Sequence, residues 1–230
     1  MPGAAGDIGA RFLVHYSQYQ IGFISKYGGI AVVDMAVLEN DEFQDVVKFH
    51  GCYCQDIAMG YRVSKALVRE MGDDLADMKA VFAQAGTPTC SIDALQKITG
   101  CTFGKRNLIM RNTGKPVFIL QNAKTGKAVR IYCHYWDDFD HTELRARRKE
   151  ANSPDATQEA KQAFQKLLDE KIATILSLPE EKLFRIQQVS IEAPPKSSKY
   201  ASEPCAKCGE HTNVNLMVEK GGAKVCPECA

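Results

Sequence analysis

Four cysteines near the carboxyl end, Cys205, Cys208, Cys226 and Cys229, form two C-x2-C pairs with 17 residues between them. Each pair lets two thiolates converge on one ion, and two pairs complete the tetrahedron that structural zinc prefers. Iron held by the same four thiolates is the alternative. The intervening stretch suits a hairpin with Gly221-Gly222 as its turn. So small a fragment buries too little apolar surface to fold alone, so metal must supply much of its stability. Four cysteines leave no open coordination position, which makes this module a scaffold or docking surface. His211 is a bystander to it.

A second group of chemically capable residues lies in the first half. The run Phe49-His50-Gly51-Cys52-Tyr53-Cys54 ends where helical periodicity begins, and Cys90 in Thr89-Cys90-Ser91-Ile92-Asp93 stands at the start of another helix. A thiol at a helix N-terminus faces the positive end of the macrodipole, so its pKa is expected to fall. Cys101 follows in a glycine-bracketed loop, Gly100-Cys-Thr-Phe-Gly-Lys105. Two helix starts and one loop could bring a histidine, several thiols and the Asp93 carboxylate together. Small buried hydrophobes are the other reading of these cysteines. Lys105 and Asn107 are placed to position an anionic ligand or to stabilise their own loop. In Cys133-His134 the two side chains of a strand would face opposite ways, which gives core and surface roles rather than a shared site. The basic run Arg145–Lys149, with Asp137, Asp138, Asp140 and Glu143 nearby, reads as a solvated helix end.

The elements that must position these groups follow from periodicity. Phe12, Tyr16, Tyr19 and Phe23 predict a helix over 10–27, its aromatics serving a core or a dimer interface, stopped by Gly28-Gly29. Ile30–Leu38 reads as a buried strand, and Asp41 as the cap of a helix towards Phe49. Cys54–Met71 separates Ile57, Tyr61, Ser64 and Val68 from Arg62, Lys65 and Arg69, as a half-buried helix requires. Strands are expected at Met78–Gln84, Asn107–Arg111, Pro116–Gln121, Ala128–Tyr135 and Phe184–Ile191, and helices at Ser91–Thr99 and from Ser153 onward. The turn Asn122–Gly126 reads as a hairpin. Mixed, non-alternating elements argue for an α+β core. The Pro- and Ser-rich stretch 193–203 marks a linker between residues 1–192 and the module at 204–230.

Composition narrows the function classes. A chain of 230 residues, 45% hydrophobic and 25% charged, carries a net charge of only +1. That balance gives no electrostatic reason to expect nucleic acid or an anionic membrane as partner. No run approaches the length needed to span a bilayer, and MPGAAGDIGARF lacks the basic-then-apolar order of a secretory signal. A cytoplasmic location follows as an expectation. There, nine cysteines point to metal or thiol chemistry rather than disulfides.

The run FHGCYCQDIAMGYR, followed about 30 residues later by TCSIDALQKITGCTFGKRNL, resembles the FmdE family, named for a component of formylmethanofuran dehydrogenase. Its patterns are of the kind H-G-H-x-C-P-G and C-x-x-D-A-x-Q-x-x-x-G-C-T-x-G-K-x-N. His50, Gly51, Cys54, Gly60, Tyr61 and Arg62 match the first region. Cys90, Asp93, Ala94, Gln96, Gly100, Cys101, Thr102, Gly104, Lys105 and Asn107 match the second. The resemblance spans roughly residues 10–190 and implies an α+β domain with a mixed sheet flanked by helices, a homodimer, and a zinc-capable site of His50, Cys54, Cys90 and Cys101 with Asp93 nearby. It also implies association with a molybdenum or tungsten oxidoreductase complex. Two departures stand out: Cys52 replaces the second histidine, and Gln55-Asp56 replaces Pro-Gly. An added thiolate softens the site towards zinc, iron or copper, and even an iron–sulfur cluster, although C-x-C spacing is unusual for one. The reading is thus a metal- and thiol-dependent accessory or redox-linked protein. Its metal would act as a Lewis acid, or without metal Cys54 or Cys90 would be a thiolate with His50 as base. The alternative is a non-catalytic carrier or sensor of metal, haem or another cofactor.

Overall fold

The structure, a computed structural model, describes residues 20–24, 30–192 and 201–230, and divides into two compact units, Met1–Ala193 and Pro194–Ala230. The first unit begins with an antiparallel hairpin of β1 (Gln20–Ile24) and β2 (Ile30–Asp34), after which a short 3-10 helix occupies Met35–Glu39. The helix expected over 10–27 is therefore a strand at Gln20–Ile24, where pairing with β2 overrides local aromatic spacing; its other residues lie outside the described ones. The strand expected over Ile30–Leu38 likewise stops at Asp34.

Helix α1 (Asp41–His50) is capped by Asn40, whose side chain accepts a hydrogen bond from the Phe43 amide at 2.9 Å. Asp41, expected as the cap, is its first helical residue. Helix α2 (Gln55–Met71) buries Ile57, Met59, Val63 and Leu67 and lies over the sheet. The strands β3 (Val81–Ala85), β4 (Leu108–Met110), β5 (Val117–Asn122), β6 (Ala128–Tyr132) and β7 (Arg185–Val189) form that sheet in the order β4-β3-β5-β6-β7. Only β3 and β4 run parallel, with helix α3 (Ser91–Thr99) in their crossover. The result is a mixed sheet flanked by helices.

Helices α4 (Thr142–Ala151), α5 (Gln158–Ser177) and the short α6 (Glu180–Leu183) return the chain to β7. Helix α5 starts at Gln158, not near Ser153, because Thr157 caps it through the Ala160 amide. Leu168, Ile172 and Ile175 are its buried face. At its far end Arg62 of α2 donates to the carbonyls of Ile175 at 3.0 Å and Leu178 at 2.8 Å. A cation on unpaired terminal carbonyls is favourable both as hydrogen bond and against the helix dipole, and it locks α5 to α2.

Two glycines matter for the site. Gly51, with φ +78°, ends α1 in a left-handed turn, so the chain doubles back and enters α2 through Cys54. Gly60 is where α2 and α3 touch: a Cβ there would stand 2.5 Å from Ser91 Cα and 2.7 Å from its carbonyl oxygen. Ser91 Oγ also donates to the Asp56 carbonyl at 2.6 Å. The start of α3 is thereby clamped against the first turns of α2.

The second unit contains two small hairpins, β8 (Ser202–Pro204) with β9 (His211–Asn213) and β10 (Val218–Lys220) with β11 (Ala223–Val225). Gly221-Gly222 turns the second hairpin. Among its described residues the buried apolar cluster comprises Cys205, Val225 and Cys226.

Candidate metal centre

The folding of α1, α2 and α3 brings His50, Cys54 and Cys90 together, with their ligand-capable atoms all within 4.8 Å of one another. His50 is the last residue of α1, while Cys54 and Cys90 occupy the N-cap positions of α2 and α3. His50 Nδ1 lies 2.7 Å from Asp93 Oδ2, and Gln96 Nε2 donates to the other Asp93 oxygen at 3.1 Å. The remaining imidazole nitrogen, Nε2, is buried and has no hydrogen-bond partner. A buried unpaired imidazole nitrogen beside two thiols is costly unless something occupies it. A carboxylate holding the opposite nitrogen is also how metal-bound histidines are commonly oriented. The residues present therefore fit a thiophilic metal ion, with one histidine and two cysteines as ligands and a fourth position left over.

The thiols themselves depart from expectation. Burial pushes Cys54 up to about 12, with neighbouring Cys90 and Cys52 adding to the shift and the Ile57 amide only partly offsetting it. Burial raises Cys90 as well. The predicted fall at the helix starts is overturned because removing a thiolate from water costs more than one turn of helix returns. In this environment the thiols keep their protons against solvent, and a bound metal cation would displace those protons to water by taking their place on sulfur.

The structure does not bring every expected residue here. Cys90 and Cys101 flank opposite ends of α3, which separates them by roughly 15 Å at a helical rise of about 1.5 Å per residue. Cys101 is buried against the sheet, with Asn107 Nδ2 3.5 Å from its sulfur and 3.1 Å from the Val81 carbonyl. Asn107 also accepts from the Thr102 amide at 2.9 Å, and Lys105 Nζ donates to the Gly100 carbonyl at 3.0 Å. Cys101, Lys105 and Asn107 thus close their own loop. Cys52 is exposed and outside the three-ligand group. Cys133 is buried, its thiol held up by desolvation. The basic run of α4 is largely exposed.

Sequence reasoning named Gln96 only as a match to the family pattern and gave it no role at the site, although its position three residues after Asp93 puts both on one helical face. It also passed over Asp56, whose carboxyl is raised by burial, and over Thr89 Oγ1 and Gln55 Nε2, which are buried without partners next to the two thiols in the chain. Spacing carries no signal for such atoms.

In the second unit the four cysteines do cluster, their sulfurs within 4.8 Å of one another. The amides of Cys226 and Lys207 lie 3.2 Å and 3.4 Å from Cys205 Sγ. Backbone amides, those of Cys208 and Cys226 foremost, bring the Cys205 thiol down to about 6. His211 is exposed, with Nδ1 3.4 Å from Ser202 Oγ.

Comparison with known proteins bears on this arrangement. The family model described as "FmdE, Molybdenum formylmethanofuran dehydrogenase operon" matches residues 49–185, which contain the whole His50–Cys54–Cys90 group but not the four-cysteine unit. A protein of Archaeoglobus fulgidus described as "Probable S-adenosyl-L-methionine-binding protein" is 26% identical over 170 residues, 71% of this chain and 46% of that protein. The chain thus spans about half the length of that relative. The crystal structure of a protein of Syntrophus aciditrophicus described as a "tungsten formylmethanofuran dehydrogenase subunit e (fmde)-like protein" shares the fold, with a TM-score of 0.52, at 23% identity, covering 84% of this chain and 91% of the other. No helix among the described residues is long and apolar enough to cross a membrane.

Proposed function

Since the chain belongs to the FmdE family, we propose that it is a metal-dependent accessory or redox-linked protein with two metal centres. Zinc in the terminal unit, held by Cys205, Cys208, Cys226 and Cys229, is structural. Zinc or iron in the first unit, held by His50, Cys54 and Cys90, is the functional ion, with Asp93 as positioning residue. The observation that carries this reading is the buried, unpartnered His50 Nε2, on a ring that Asp93 holds by its other nitrogen and that shares a group of ligand-capable atoms within 4.8 Å with Cys54 and Cys90. A metal in such a site supplies a Lewis acid with one exchangeable position. His50 is held in a single orientation, and the packing of α2 on α3 keeps the thiols at ligand distance. The family description, which names a molybdenum enzyme's operon, and the tungsten in the neighbour's description support a molybdenum or tungsten oxidoreductase complex as the partner, and the working form is proposed to be a cytoplasmic homodimer.

Elemental analysis of the full chain tests the centre. The wild type should hold two metal equivalents, and His50→Ala or Cys90→Ala should hold one, with an unchanged helical circular-dichroism spectrum. Cobalt loading should give thiolate charge-transfer bands that weaken with Cys54→Ala. A wild type holding one equivalent, all of it lost with Cys226→Ser, would end the proposal. Co-purification with a molybdenum or tungsten enzyme, and sedimentation of the isolated chain, test partner and dimer.

A further inference from the structure

The sheet register pairs Tyr132, the last residue of β6, with Arg185, the first of β7. Opposite residues of an antiparallel ladder share a face, so these two side chains are neighbours. On leaving β6 the chain turns into a short 3-10 helix, His134–Trp136, and it enters β7 from α6. The two corners frame an open cavity of about 690 Å³, to which none of His50, Cys54 and Cys90 contributes. Phe184, 2% exposed, and Ile186 give it an apolar lining. Its charges are of both signs. The Tyr132 hydroxyl donates to Asp137 Oδ1 at 2.7 Å, and the Arg185 guanidinium carbon stands 5.9 Å from the centroid of the same ring. Among the described residues, however, Arg185, Asp137 and Glu181 form no ion pair. Glu180 differs, since Arg69 closes both its oxygens at 2.7 and 2.8 Å. The cavity thus presents one unmatched guanidinium and two unmatched carboxylates, held apart around a tyrosine ring.

We propose that this cavity binds a free α-amino acid with an apolar side chain. Arg185 takes the carboxylate, whose two oxygens match the fork of a guanidinium. Asp137, through the oxygen that Tyr132 does not engage, and Glu181 take the ammonium. Phe184 and Ile186 receive the side chain, whose removal from water adds to the binding, and the volume lies within the range of small-molecule pockets. The charge pattern selects this class. A simple cation would satisfy the two acids and leave the guanidinium unmatched, and a simple anion would do the reverse. A peptide terminus carries one of the two charges, whereas a free amino acid carries both on one short frame.

The test titrates the full-length chain with L-leucine and follows backbone amide shifts by heteronuclear NMR. Trp136, the sole tryptophan, lies between His134 and Asp137 in the chain and gives a second readout by fluorescence. Expected are saturable shifts centred on residues 132–137 and 180–186, with a parallel change in Trp136 emission. 3-Methylbutylamine is leucine without its carboxylate, and 4-methylpentanoate is leucine without its ammonium. Each should bind roughly fivefold more weakly than leucine, the loss of one solvent-exposed charge contact. Arg185→Gln should abolish the difference between leucine and 3-methylbutylamine. Glu181→Gln should weaken leucine and the amine alike and spare 4-methylpentanoate. Both residues are exposed, so neither change disturbs the core. Amine or acid binding as tightly as leucine to the wild type would overturn the proposal, because one charge would then suffice. Shifts that are absent, or centred elsewhere, would overturn it as well. No outcome here depends on metal content, so the metal reading stands or falls separately.

Discussion

His50 Nδ1 and Asp93 Oδ2, 43 residues apart in the chain, meet at 2.7 Å between the end of α1 and the first turn of α3. That contact fixes which imidazole nitrogen is left without a partner, and Gln96 fixes the carboxylate in turn.

Asp93→Asn should therefore lower the affinity of the first-unit metal by about 10–100-fold, the usual loss when a partner of a histidine ligand is removed. Gln96→Leu should act in the same direction and less strongly. Competition against a chelator of known affinity measures both. Equal affinities in wild type and Asp93→Asn would remove Asp93 from the site.

Gly60→Ala should destabilise the first unit by about 1–3 kcal/mol, the cost of overpacking a closed interface. The added methyl meets Ser91 backbone atoms at 2.5–2.7 Å, which cannot rotate away. Because the same interface sets the spacing of Cys54 and Cys90, first-unit metal affinity should fall too. Urea denaturation gives the first quantity and chelator competition the second; an unchanged midpoint would show that the helices slide apart freely.

The metal-free protein should weaken at alkaline pH. Cys54 moves from 9.0 when unfolded to about 12 when folded, and Cys90 also rises. At high pH the unfolded chain thus binds fewer protons than the folded one, and stability falls with pH. The loss should begin near pH 9 and continue to about pH 12. Cys54→Ala should flatten this limb of the denaturation profile. An identical limb in the variant would place the sensitivity elsewhere.

Cys226→Ser should unfold the terminal unit while leaving the helices of the first intact. The apolar cluster among the described residues there is three residues, so metal coordination has to carry its stability. Loss of dispersed amide signals from 201–230 only, in a heteronuclear NMR spectrum, is the expected result. A folded, metal-free terminal unit would contradict it.

Where the information was local, the amino-acid order sufficed. The two C-x2-C pairs announced a cluster because ligand spacing is itself a structural statement. Cys54–Met71 and Ser91–Thr99 were readable as helices because amphipathic periodicity reports burial along one element. Residues 20–24 misled because aromatic spacing is compatible with a helix until a neighbouring strand offers its hydrogen bonds. The sequence by itself determined the α+β class, the helix starts that present Cys54 and Cys90, and the grouping of the four terminal cysteines. Tertiary structure alone decided that Cys101, so near Cys90 in the chain, faces the sheet at the far end of α3, while His50 reaches Asp93. It also decided that burial raises the thiols that helix ends alone would have lowered. Distances through space and desolvation depend on what packs against a side chain, and only the folded chain specifies that.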